Sequence, residues 1–293
     1  MERKEIIYIL GTKKGVGKTT VLNHFLRRWK NCCVASIGLD GEEKDNLTNE
    51  PKPCVHVTKY HLVLTGERFL NLSKFEVIDV YSHNAIVGHI ILARPLIETT
   101  VVLTGATTAM IQRIVVEQKF SKIIIDGAFN RLIHAGVIDG AKIFLVVHGD
   151  ELESMRIIKK VLFASNLPRA PQHILEVFHE KRGVWAFTKD GSVTKISDSC
   201  LTLKYFSESG FEWLYISGFV TQSILEMKDK IKICLANPIA IAEVPSNFDN
   251  IYTANSIKLE RMFINSSENR ELLKFLKTWL GDSIAEVDDV FSV

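Results

Sequence analysis

The chain has 293 residues, 46% hydrophobic and 24% charged, an ordinary globular balance that excludes a disordered, collagen-like or disulfide-scaffold protein. Thirty-six Lys and Arg against 34 Asp and Glu leave a net charge of +2, too weak a field to imply nucleic acid or a membrane surface as partner. Cys32, Cys33, Cys54, Cys200 and Cys234 are odd in number and contain no Cys-x-x-Cys, so neither a disulfide framework nor a zinc site is expected, and a reducing cytoplasm fits best.

The opening Met-Glu-Arg-Lys-Glu and the apolar residues 6–10 imitate a signal peptide, but the stretch is too short and no small-residue cleavage site follows. It reads as a first strand. A Gly/Lys-rich turn leads into an amphipathic helix over about 17–29, with Val21, Leu22, Phe25, Leu26 and Trp29 on one face. Residues 32–38 read as a buried strand, and 55–58 with 62–65 as a short hairpin pair. Strands follow at 76–80, 87–93 and 101–103, then a helix over 106–118. The unbroken apolar runs 122–126 and 142–147 are strands, and 151–164 a helix. Beyond Leu167 a hairpin is expected at 184–188 and 193–196 around Asp190-Gly191, strands at 230–236 and near 258–265, and a helix over 269–280. No apolar run approaches the ~18 residues of a membrane span. The expectation is an α/β fold, a mostly parallel sheet with helices on both faces. It forms one domain, 1–293, with the core motifs in 1–165 and with 166–293 completing the sheet around an inserted hairpin.

The turn between the first strand and helix reads Gly11-Thr12-Lys13-Lys14-Gly15-Val16-Gly17-Lys18-Thr19-Thr20. Backbone N–H groups from Thr12 through Thr20 can cradle phosphate oxygens, with the helix N-terminus adding partial positive charge. Lys18 can reach the β- and γ-phosphates, and the Thr19 hydroxyl can ligate Mg²⁺. The spacing departs from Gly-x₄-Gly-Lys-Ser/Thr, since Gly11 stands one place early and Thr12 occupies the glycine position. It resembles instead the deviant Walker loop of the MinD/ParA and dethiobiotin-synthetase branch of P-loop proteins, with Lys13 at the signature lysine. The dethiobiotin synthetases open Gly-Thr-x-x-x-Val-Gly-Lys-Thr, as Gly11 to Thr19 does. The resemblance implies a deviant Walker NTPase that binds ATP and Mg²⁺.

Hydrolysis also needs a carboxylate near the metal and a means of positioning water. Asp126 closes the strand Lys122-Ile-Ile-Ile-Asp126-Gly127, where a buried strand delivers one carboxylate to the sheet's carboxyl edge; Asp-Gly is also an ordinary turn. The same tetrapeptide recurs at 138–141, but Asp139 precedes its strand and reads as a turn at the opposite edge. Asp40, in Gly38-Leu39-Asp40-Gly41-Glu42-Glu43, follows the second strand. In the resembled ATPases an aspartate here orients the attacking water or joins the metal shell, while Asp40-Gly41 is equally a turn dipeptide. Glu42 and Asp45 fit a solvated acidic loop. Asn237-Pro238 ends a late strand where related folds read the purine edge; an Asn amide can pair with adenine, and Asn-Pro is as readily a turn starter. The nine histidines show no zinc spacing, so core or surface roles are expected for them.

Further pieces carry a closer resemblance. These are Ser36-Ile-Gly-Leu-Asp-Gly-Glu through Pro53, Val55-His-Val57, Leu64-Thr65-Gly66, Gly88-His-Ile-Ile-Leu-Ala-Arg94, Val102-Leu-Thr-Gly105 and Ile125-Asp-Gly-Ala-Phe-Asn-Arg131. Together they look like the P-loop reactivase subunit of adenosylcobalamin-dependent lysine 5,6-aminomutase. The likeness covers about residues 6–150 and continues through Tyr215-Ile-Ser-Gly218 and 233–238. It implies a cytoplasmic ATPase that works with a second, MutS-like ATPase subunit to restore an aminomutase whose cobalamin has been inactivated. It implies a homodimer or larger complex, in which Lys13 or Lys14 reaches a neighbouring subunit's nucleotide, and no nucleic acid or membrane partner. The other readings are a dethiobiotin-synthetase-like ligase acting on a small carboxylated or diamino substrate, and a MinD/ParA-type scaffold. The latter lacks the usual terminal membrane helix or basic patch, since residues 269–280 are followed by Glu286, Asp288 and Asp289.

Overall fold

The computed structural model describes residues 4–13, 15–38, 54–117, 120–127, 129–147, 151–202, 210–264 and 284–286. The strands are β1 (Glu5–Gly11), β2 (Cys32–Ser36), β3 (Val55–Val57), β4 (His61–Gly66), β5 (Phe75–Asn84), β6 (Gly88–Pro95), β7 (Thr99–Val101), β8 (Lys122–Asp126) and β9 (Ala141–Val147). They continue as β10 (Val184–Thr188), β11 (Val193–Ser197), β12 (Phe211–Ile216), β13 (Lys232–Leu235), β14 (Ile251–Thr253), β15 (Ile257–Ile264) and β16 (Ile284–Glu286). The α-helices are α1 (Lys18–Arg28), α2 (Thr108–Glu117), α3 (Glu151–Asn166), α4 (Gln172–Val177) and α5 (Gln222–Leu225). Two compact units result, one of Met1–His134, Lys142–Ser154 and Glu260–Val293, the other of Ala135–Ala141 and Met155–Leu259.

The chain is α/β with a large mixed sheet, ordered β16-β15-β9-β1-β8-β2-β4-β6-β5. Its centre is parallel, β1 lying between β8 and β9 and β2 between β8 and β4. This is what the unbroken apolar runs anticipate, because a parallel strand buried on both faces has no polar side to alternate. β4, β6 and β5 add an antiparallel edge. Against the sheet α1 buries Val21, Leu22, Phe25 and Leu26, each worth roughly 1.5–3 kcal/mol when fully withdrawn from water. Phe25, Phe144 and Phe263 meet there with centroids 4.9 to 5.9 Å apart.

Two side chains fix α1 further. His61 Nδ1 accepts the Thr58 N–H at 3.0 Å, which leaves Nε2 to donate to the Trp29 carbonyl at 3.0 Å, and burial lowers the pKa of this neutral ring. The Asn23 amide donates to the Cys54 carbonyl and accepts the His56 N–H, tying the helix to β3.

Two expectations are corrected. Residues 55–58 and 62–65 do not pair as a hairpin. Instead β3 joins β7 antiparallel, while β4 lies between β2 and β6. Short strands find partners by long-range packing that local pattern does not carry. Nor do residues 166–293 simply complete one sheet, for β10 to β14 build their own, ordered β11-β10-β12-β13-β14. That second unit has a separate core in which Phe178 stacks on Tyr215 at 4.8 Å beside Ile174, Trp213 and Cys234. The expected 184–196 hairpin is there as the β10–β11 pair, whereas the expected helix 269–280 lies outside the described residues. Among the described residues no helix is long and apolar enough to cross a membrane.

Candidate functional site

The strand order creates the site. From β1 the chain passes through α1 to β2, and β8 later inserts between β1 and β2 while β9 takes the other side of β1. The connection from β1 therefore runs toward β2 while that from the adjacent β8 runs the other way toward β9, a switch point of the kind at which open parallel sheets form a ligand crevice.

The β1–α1 turn occupies that end. Gly15 and Gly17 have φ of 73° and 93°, left-handed values that an L side chain adopts only with strain, and Gly17 is the N-cap of α1. Among the described residues no side chain caps α1, no acidic residue stands in its first turn, and Arg27 and Arg28 occupy the last. The charge distribution thus follows the helix dipole and leaves the positive end for an anion. Gly11 is required by packing: a Cβ there would lie 2.7 Å from Val16 Cγ2 and 3.0 Å from Lys18 Cδ. The Lys18 stem consequently lies across the end of β1, and its Nζ reaches the Lys13 carbonyl at 3.5 Å.

Thr12 is buried and tethered, its N–H donating to the Val146 carbonyl at 3.0 Å and its Oγ1 accepting the Ser154 hydroxyl at 3.1 Å. Ser154 went unseen in the sequence because it lies 142 positions away and belongs to no motif. Lys13 and Gly15 are exposed, Val16 is buried, and Thr19 and Thr20 sit half-buried in the first turn of α1.

Asp126 ends β8 beside this turn. Its Cα partners are Ile9 on β1 and Ser36 on β2, and the following Gly127 N–H donates to the Ile9 carbonyl at 3.0 Å. Lys18, Thr19 and Asp126 therefore share the carboxyl edge of adjacent parallel strands. Lys14, Asp40, Glu42 and Asp45 lie outside the described residues. Asn237 belongs to the second unit, where it is buried and its Oδ1 accepts the Ile239 N–H at 3.2 Å, the hydrogen bond of a turn starter. Gly136 makes room for it, since a Cβ there would lie 1.9 Å from Oδ1.

Mg²⁺ is commonly held by one or two protein oxygens together with substrate phosphates and water, so a hydroxyl and one carboxylate suit it. Thr19 and Asp126 supply that donor set. Among the described residues no three His, Cys, Asp or Glu side chains gather about a common metal position. Cys32 and Cys33 are wholly buried, and burial pushes the Cys32 thiol up to about 12, so both serve as small apolar filling. No family model, curated protein or solved structure matches the chain.

Proposed function

We propose that the chain is a Mg²⁺-dependent ATPase of the deviant Walker kind, with its sheet covered by helices on both faces, that helps reactivate a cobalamin-dependent amino-acid aminomutase. The observation that carries the nucleotide reading is the Lys18 stem lying over Gly11 at an uncapped helix start, beside a strand that ends in Asp126. In this reading the N–H groups of Thr12 to Thr20 bind the phosphates and the Lys18 ammonium neutralises charge at the β- and γ-positions. Thr19 and Asp126 hold Mg²⁺, which when bound offsets charge on the phosphate oxygens. Asp40 orients the attacking water.

The client follows from the resemblance at 36–53 and 125–131. Releasing a tightly held damaged cobalamin requires strain, and a nucleotide can supply it only through different affinities for two conformations. The MutS-like ATPase subunit and the aminomutase are the proposed partners, in the cytoplasm, with the chain as a homodimer or larger complex. The ligase reading rests on one specific feature, the Gly11-Thr12 to Val16-Gly17-Lys18-Thr19 spacing.

Calorimetric titration with ATP and Mg²⁺ tests the site. Lys18→Ala should abolish measurable affinity while the fold is retained, and unchanged binding would remove the assignment. Recovery of an inactivated aminomutase should then require ATP, Mg²⁺, fresh adenosylcobalamin, this chain and its partner together. Recovery without this chain, or with the Lys18→Ala form, would reject the reactivase reading. ATP turnover driven by a small carboxylic or diamino acid would favour the ligase.

A further inference from the structure

We infer that the end of the β5–β6 hairpin binds a divalent transition-metal ion of the zinc class between His83 and His89, with Glu67 orienting the second imidazole. These two histidines are direct partners across the antiparallel pair, one step from the closing pair Asn84 and Gly88. Directly opposed residues share a face with Cβ atoms about 4.5–5.5 Å apart, a spacing that lets two imidazoles converge on one ion. Their rings already stand edge to face with centroids 4.9 Å apart, and both residues are exposed.

Glu67 supplies the orienting contact. Its Oε2 lies 2.9 Å from His89 Nδ1, so Nδ1 carries the proton and the lone pair of the neutral ring resides on Nε2. This is the carboxylate–histidine pairing that fixes tautomer and ring direction at metal centres. Gly88, with φ of 77°, makes the seat: a Cβ there would lie 2.5 Å from Glu67 Oε1. An ordinary surface ion pair accounts for Glu67 and His89 but not for His83, whose imidazole has no hydrogen-bond partner among the described residues and faces the oriented ring. Imidazole nitrogens suit Zn²⁺, Cu²⁺ and Ni²⁺, whereas Mg²⁺ takes oxygens, so this site and the carboxyl-edge site select different ions. The shell is two imidazoles completed by water, Glu67 being a positioning residue rather than a third ligand. The ion would staple β5 to β6, where the pairing is broken by irregularities at Val77/Asp79 and Val80/Ser82.

The test is calorimetric titration of the chelator-stripped full chain with Zn²⁺ near pH 7.5, accompanied by imidazole NMR shifts and a thermal melt with and without Zn²⁺. The wild type should bind Zn²⁺ with shifts at both rings and melt higher with the ion present. His83→Ala and His89→Ala, both at exposed positions, should lose the binding, the shifts and the thermal gain, and Lys18→Ala should keep all three. Glu67→Gln should weaken binding by roughly 10–100-fold and leave the ligating nitrogens unchanged. Zn²⁺ binding in His83→Ala equal to the wild type, or no Zn²⁺ binding by the wild type, would overturn the proposal.

Discussion

The tetrapeptide Ile-Asp-Gly-Ala occurs twice in this chain, at Ile125-Asp126-Gly127-Ala128 and at Ile138-Asp139-Gly140-Ala141, and the two copies do different work. Asp126 closes β8, at the carboxyl edge of parallel strands beside the β1–α1 turn. Asp139 stands before β9, and its carboxylate is consumed by structure: Oδ1 accepts the Ser256 N–H and hydroxyl at 2.9 and 2.8 Å, and Oδ2 pairs with Arg169 at 2.7 Å. The glycines differ as well. Gly127 is needed because a Cβ would lie 2.5 Å from Leu10 Cδ2, while Gly140 is needed for its φ of 75°. Identical local sequence thus yields a staple in one copy and the proposed metal-binding carboxylate in the other according to which end of a strand it occupies, since only the carboxyl ends of parallel strands open onto the switch-point crevice.

The comparison breaks most visibly if the carboxylates exchange phenotypes. Asp40→Asn, as the water-orienting group, should spare ATP binding and cut turnover by roughly 10²–10⁴, the largest effect expected. Asp126→Asn should weaken Mg²⁺-dependent ATP binding by at least about the 10–100-fold that even an outer-sphere partner of a metal contributes. Its melting temperature should stay near that of the wild type. Equal losses of affinity in the two variants, or an Asp126→Asn protein that binds normally, would remove the division of roles.

Asp139→Asn should do the reverse, lowering stability by roughly 1–3 kcal/mol through weakened charged hydrogen bonds while ATP affinity is unchanged. Partial burial pushes the Asp139 carboxyl up, but the Arg169 pair and the Ser256 hydrogen bonds outweigh it and hold it below the usual aspartate range. Its stabilisation is therefore fully present above the unfolded value of about 3.9 and is lost as pH falls through the lower folded value. Urea titrations of wild type and variant should differ at pH 7 and converge in acid. A difference that persists below both values would mean the staple does not act through its charge.

His61 gives the same sign of pH dependence in a higher pH window. Its folded pKa is lowered, chiefly by burial, so its contribution is present above about pH 6.5 and falls away below it. Between pH 7 and 5 the wild type should lose stability that a His61→Gln variant does not lose, as read by thermal melts across that range.

What was legible in the sequence follows from the same physics. β8 reads correctly to the residue because three buried isoleucines, Ile123 to Ile125, stand between the charged ends Lys122 and Asp126 in a parallel strand, and α1 because its apolar face recurs at helical period. The position of Asp139 before its strand was enough to mark it as a turn. The partner of β3 was not legible, for a three-residue strand carries no register, and neither was the Ser154 tether of Thr12. The facing of His83 and His89 escaped notice because six-residue spacing means nothing until a hairpin folds between them. Asp40 was read from its dipeptide and family likeness, and its position lies outside the described residues.

The smallest effects should separate the two glycines. At Gly140 the obstacle is backbone conformation, so alanine should cost about 1–2 kcal/mol and asparagine less, because its short polar side chain tolerates the left-handed region. At Gly127 the obstacle is volume: the added atom meets Leu10 Cδ2 at 2.5 Å and the Ile9 carbonyl at 3.2 Å in a close-packed interior. Alanine should cost on the order of 1–3 kcal/mol there, and asparagine, being larger and polar, more. The order of the two substitutions should therefore invert between the sites, which urea midpoints of the four variants would show. If asparagine were the worse residue at both positions, Gly140 would be held by packing after all, and the contrast between the two copies would rest on their aspartates alone.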